Sequence, residues 1–169
     1  MARFSDSDDF EWEEDDDDEE ASDADPAAEL QELVDRADEM AETGGHRRAV
    51  RLWRKNIDRF ADEPQAYFHY AQACFRLLSD DLIHDEMWES NADDVGVYEE
   101  ALAALEEALT MDKEHVDSLN MIGALYVLRS NKELAIDSWE RSLKANPNQP
   151  QVRTDLKGLK GNDEDEDDE

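Results

Sequence analysis

Four histidines (His46, His69, His84 and His115), one cysteine (Cys74) and 48 acidic residues are the side chains with chemistry to offer in this 169-residue chain. A zinc-type site needs His and Cys residues at close, regular spacing. The four histidines are scattered, and none has such a neighbour. His84 lies among Asp80, Asp81, Asp85 and Glu86, a set that would hold a cation only weakly and without selectivity. The aspartate runs lack the calcium-loop pattern with its inner glycine and closing glutamate. There is no glycine-rich phosphate loop. Cys74 sits in an apolar run, where a thiol behaves as a buried small hydrophobe, and a lone cysteine makes no internal disulfide. Carboxylates are so abundant that a pair of them carries no information about acid–base catalysis. The sequence therefore predicts no enzymatic activity, no cofactor and no metal, and points to binding instead.

Charge gives the next constraint. The formal net charge is −31, and it is unevenly spread. Residues 1–25 carry fourteen acids and only Arg3, and residues 161–169 carry seven acids and no base. The middle of the chain is left with 27 acids against 16 bases. Segments so charged and so poor in apolar residues do not bury enough surface to offset chain entropy. Both ends are thus predicted to be disordered acidic tails, flanking a domain over residues 26–160. No membrane-length apolar run occurs, and the first residues lack the apolar stretch of a signal peptide. The expectation is a cytoplasmic protein, with a nuclear location open for a eukaryotic source. The one basic cluster is Arg47, Arg48, Arg51, Arg54, Lys55 and Arg59. The surrounding field repels phosphate, so neither nucleic acid nor membrane is expected as a partner, and the cluster is read as pairing with the acidic helices or the tails.

The elements that must position a binding surface are helices. Leu119, Ile122, Gly123 and Tyr126 fall at i, i+3, i+4 and i+7, and Ala135, Trp139 and Leu143 step by four. Between them Ser130-Asn131-Lys132-Glu133 has the form of a capping box, and Pro147 ends the second helix. Small residues at Gly123 and Ala135 suit a close approach of two backbones, with Trp139 and Tyr126 filling the space around it. Upstream, Asp25-Pro26 is a helix start. The pattern predicts helices over 28–42 and 47–60, a third opened by Pro64, another over 97–110, and a last over 150–160.

The set Leu119, Ile122, Gly123, Tyr126, Ala135, Trp139 and Pro147 resembles the tetratricopeptide repeat, a helix–turn–helix unit of 34 residues. The period recurs: Ala37 and Ala71 are 34 apart, as are Ala101 and Ala135. Ala71 to Gly123 and Ala49 to Ala101 are each 52 apart, which one insertion of 18 residues explains. The reading is three repeats, about 30–63, 64–115 with an insertion near 79–96, and 116–149, closed by a capping helix over 150–160. The predicted fold class is all-α, a short right-handed α-solenoid of antiparallel helix pairs. The insertion, long for a loop and carrying Trp88, is expected to pack back on the domain.

The resemblance implies a concave groove lined by the first helix of each pair, taking a peptide or helical segment of another protein. By position it would show Val34, Asp38, Phe68, Gln72, Phe75, Arg76, Asn120, Ala124 and Val127; Phe68 and Phe75 read equally well as core. Only Arg76 and Asn120 match a carboxylate clamp, so an amphipathic or basic segment fits better. In the N-terminal tail Phe10 and Trp12 interrupt the acids and are candidate docking residues. The run Asp9-Phe10-Glu11-Trp12-Glu13 is similar to short acidic–aromatic segments of histone chaperones. The leading expectation is an adaptor; the alternative is an acidic chaperone for a basic protein, acting through the tails. High-salt adaptation fits less well, because the charge is concentrated in the tails. The ends of the stack leave weak self-association open.

Overall fold

The computed structural model describes residues 25–84 and 92–161, and among these seven α-helices and no strand occur. They are α1 (Pro26–Glu42), α2 (His46–Asn56), α3 (Pro64–His84), α4 (Ala92–Met111), α5 (Val116–Leu128), α6 (Lys132–Ala145) and α7 (Pro150–Gly161). The expected all-α solenoid is the fold found. Helices α1–α2, α3–α4 and α5–α6 form the three most closely packed hairpins, and α7 packs on α6. The two tails, with Phe10 and Trp12, and the part of the insertion that holds Trp88 lie outside the described residues.

Local signals explain most helix ends. The Asp25 carboxylate accepts from the amide of Ala27 at 3.1 Å, and Pro26 supplies the preset first turn. Helix α1 stops at Gly44, whose φ of +75° a side chain would strain. Helix α2 is shorter than its pattern: Ile57–Phe60 tightens into a 3-10 turn, which swings Phe60 into the core.

Two further expectations are corrected. Ser130 does not cap α6. It takes the left-handed conformation, φ +56°, that terminates α5, with the Asn131 amide closing back onto the Tyr126 carbonyl. The cap is Asn131, whose Oδ1 accepts from Leu134 N at 3.3 Å. The insertion near 79–96 is not one long loop either. Residues up to 84 continue α3, and α4 begins at Ala92 rather than Val97, so part of the added length goes into longer helices.

The core runs through the stack as one spine. Alanines mark the close helix crossings: Ala49, Ala66, Ala71, Ala101, Ala108 and Ala135 are all at most 1% exposed. Trp53, Leu105, Leu119 and Leu125 fill the volume between them. At the third hairpin the indole of Trp139 lies against Gly123. Burial of this apolar surface supplies the main driving force, at roughly 25 cal/mol per Å². One polar triad ties three helices together. Arg54 of α2 donates to Glu100 of α4 through Nε and Nη2 at 2.9 and 2.7 Å, and the Tyr70 hydroxyl of α3 donates to the same carboxylate.

Candidate binding face

Helix α1 touches α3, and α3 touches α5, so these three helices lie side by side as one layer. Every residue that position assigned to a groove sits on these three helices. What each side chain does there differs.

Near α1 and α3 the residues converge. Asp38 accepts a hydrogen bond from Arg76 in an ion pair between the two helices. Val34, Asp38, Gln72 and Arg76 surround a small cavity of about 10 Å³ together with His69 and Trp53. Val34, 8% exposed, joins the core here and offers little surface outward. The His69 ring stacks on Trp53, 6.3 Å between centroids. Burial, only partly opposed by the amide of Gln72, lowers the His69 pKa below its ordinary value, so the ring is uncharged at neutral pH.

In the middle of the layer, Phe68 and Phe75 are half-buried and pack against the core. Phe68 meets the edges of His69 and His115 at 5.3 and 6.1 Å. His115 is the N-cap of α5: its Nδ1 accepts from Ser118 N at 3.3 Å, which leaves Nε2–H to donate to Gln65 Oε1 at 3.1 Å. Gln65, His69 and His115, which no motif in the sequence marks, thus lie beside Phe68 on the candidate face. A histidine just before an apolar helical run was the available signal for the cap.

At the α5 end, the Asn120 side-chain amide donates to Gln149 Oε1 at 2.7 Å, and its backbone carbonyl accepts from Trp139 Nε1 at 3.1 Å. Asn120 Oδ1 is buried and has no hydrogen-bond partner among the described residues. Ala124 is half-buried, and Val127 stands 41% exposed.

Chemically, this face is a shallow, mixed surface. Its one placed cation, Arg76, is already paired with Asp38, and one of the two amide N–H groups of Asn120 is taken by Gln149. Little is left to grip a free carboxylate. Among the described residues, no three His, Cys, Asp or Glu side chains come together where they would hold a metal ion. None of the described helices is long and apolar enough to cross a membrane.

Residues 91–150, spanning α4, α5 and α6, match the tetratricopeptide repeat family model. No curated protein matches the chain by sequence. Solved structures share its fold. The first tetratricopeptide domain of the human RPAP3 protein is 18% identical with a TM-score of 0.63, covering 81% of this chain and 93% of that one. The second domain of human RPAP3, solved with the HSP70 peptide SGPTIEEVD, is 18% identical with a TM-score of 0.61, over 80% of this chain and 98% of that one. A tetratricopeptide protein of Thermus thermophilus is 21% identical with a TM-score of 0.63, over 80% of this chain and 63% of that one.

Proposed function

From the match of residues 91–150 to the tetratricopeptide repeat family model and the fold shared with tetratricopeptide domains, we propose that this chain is a non-enzymatic adaptor holding a peptide or helical segment of another protein against α1, α3 and α5. The single observation behind this is the composition of that layer. It keeps Val127 exposed and Phe68, Phe75 and Ala124 half-exposed along one layer of a chain whose net charge is −31, whereas the other exposed large apolar residues described, Met111 and Leu134, stand singly on α4 and α6. Such a strip suits the apolar side of an amphipathic segment. The residues proposed to line it are Val34, Asp38, Phe68, Gln72, Phe75, Arg76, Asn120, Ala124 and Val127, with Val34 acting from beneath.

The partner's charge is also part of the proposal. The human domain solved with an HSP70 peptide holds a ligand ending in Glu-Glu-Val-Asp. Here Asp38 cancels Arg76, and the net charge of −31 opposes an acidic ligand. A neutral or basic segment is therefore the better fit, and the acidic tails would raise its encounter rate at low salt.

The test compares three forms of the full chain as bait: unsubstituted, Ala124→Arg with Val127→Arg, and Phe10→Ser with Trp12→Ser. Loss of partners with the first pair of substitutions alone supports the helical layer as the site. Loss with the second pair alone, together with collapse of binding at high salt, replaces this reading with that of a tail-based chaperone for basic proteins.

A further inference from the structure

Helix α2 carries Arg47, Arg48, Arg51, Arg54 and Lys55 and not one acid, in a chain whose net charge is −31. Arg47, Arg51 and Arg54 recur at i, i+4 and i+7 and so form one ridge. That ridge is one wall of a groove of about 420 Å³ whose other residues include Leu77, Gly96 and Val97. The groove falls in the size range of ligand-binding clefts, and α2 does not belong to the layer of α1, α3 and α5. Arg54 is held by Glu100, and Arg47 also has an interaction. Arg51 makes no ion pair among the described residues.

We propose that the acidic–aromatic segment of residues 8–14 docks in cis on this α2 ridge, as an intramolecular ligand that shields its arginines. Charge complementarity is the first argument. Asp8, Asp9, Glu11, Glu13 and Glu14 face an arginine wall, and Phe10 and Trp12 come two residues apart. In an extended chain those two rings point to one side and their acidic neighbours to the other. That alternation matches a groove with a cationic wall and apolar residues opposite.

Geometry is the second argument. Glu29, in the first turn of α1, pairs with Arg59 at 2.8 Å. The N-terminal arm therefore starts beside the far end of the basic run. Twelve residues of helical path separate Arg59 from Arg47, about 18 Å. Trp12 lies thirteen residues before Asp25, which allows about 43 Å when extended. The C-terminal tail is the poorer occupant. It follows α7, which packs on α6, and residues 162–169 carry no aromatic ring to set against the apolar side of the groove. Tethering also places the arm at an effective concentration of about millimolar, so modest affinity suffices.

The experiment uses the full chain, isotope-labelled, with Asp8→Cys carrying a nitroxide. Burial first, and the nearby charge of Glu100 second, push the Cys74 thiol up to about 12, so it stays protonated and unlabelled at neutral pH. At low salt the amide signals of Arg51, Arg54, Gly96 and Val97 should be lost to paramagnetic broadening, while those of α6 are kept. Near 1 M salt, where the Debye length is about 3 Å, they should return. Arg48→Glu with Arg51→Glu should abolish the effect in a chain whose circular dichroism is unchanged. If that variant does not fold, the salt series on the unsubstituted ridge decides alone. Broadening that spares α2, that spreads over every helix, or that is as strong on an unlabelled chain mixed with a labelled one overturns docking in cis.

Discussion

The indole of Trp139 lies on Gly123. A Cβ at position 123 would fall 2.8 Å from Cε2 and closer still to Nε1 and Cδ1. The same indole donates from Nε1 to the Asn120 carbonyl one turn earlier on α5. The glycine thus admits the ring, and the hydrogen bond fixes its orientation, so the third hairpin is locked by one pair of residues.

Gly123→Ala is expected to destabilise the domain by about 1–2 kcal/mol. Overpacking costs about 1–3 kcal/mol, and the gain in helix propensity of about 1 kcal/mol offsets part of it. Trp139→Ala should cost more, about 3–5 kcal/mol. In the Trp139→Ala background Gly123→Ala should become neutral or stabilising, because its clash is gone. Urea denaturation of the four proteins gives this cycle directly.

The end of α5 and the start of α6 give a second contrast. Asn131→Ala should lower stability by about 1 kcal/mol through loss of the helix cap. Ser130→Gly should raise it slightly, since glycine relieves the left-handed backbone at φ +56°. A capping role for Ser130 would reverse that sign. Thermal melts of both variants distinguish the two.

Glu100 makes stability pH-dependent. Burial works against its charge, but hydrogen bonds from Arg54 and Tyr70 outweigh it and hold the carboxyl below its ordinary pKa. A depressed folded-state pKa stabilises above the unfolded value near 4.3 and loses that contribution as pH falls through the folded value. Glu100→Gln should therefore cost about 1–2 kcal/mol at pH 7. The gap to the unsubstituted protein should narrow as pH falls below the unfolded value and through the folded one. Urea midpoints measured across that range check it.

Much of this architecture is legible in the residues, for physical reasons. Close helix contacts need small side chains, so Ala37, Ala71, Ala101, Gly123 and Ala135 expose the repeat period in the sequence. Trp139 marks the gap it fills. What stayed hidden was decided by tertiary context. The pattern from Ser130 to Glu133 suits a cap one residue early, and only the closure of α5 shows that Ser130 is used up by the preceding helix. The acidic residues near 79–96 read as loop because charge masks helical periodicity, yet α3 and α4 extend into them. On the candidate face, Arg76 and Asn120 could be placed by position, but their engagement by Asp38 and Gln149 depends on residues 38 and 29 positions away. The cap made by His115 has no strong sequence signature, because histidine seldom fills that role.

The proposal that α1, α3 and α5 present the binding layer is tested most directly by placing a photo-crosslinking amino acid at Val127 of the full chain. Separate chains carry it at Glu106, exposed on α4, and at Trp12 in the arm. A discrete covalent adduct with the same partner from position 127, and none from position 106 or position 12, is the predicted result. Adducts from position 106 or position 12 with none from 127 would contradict it.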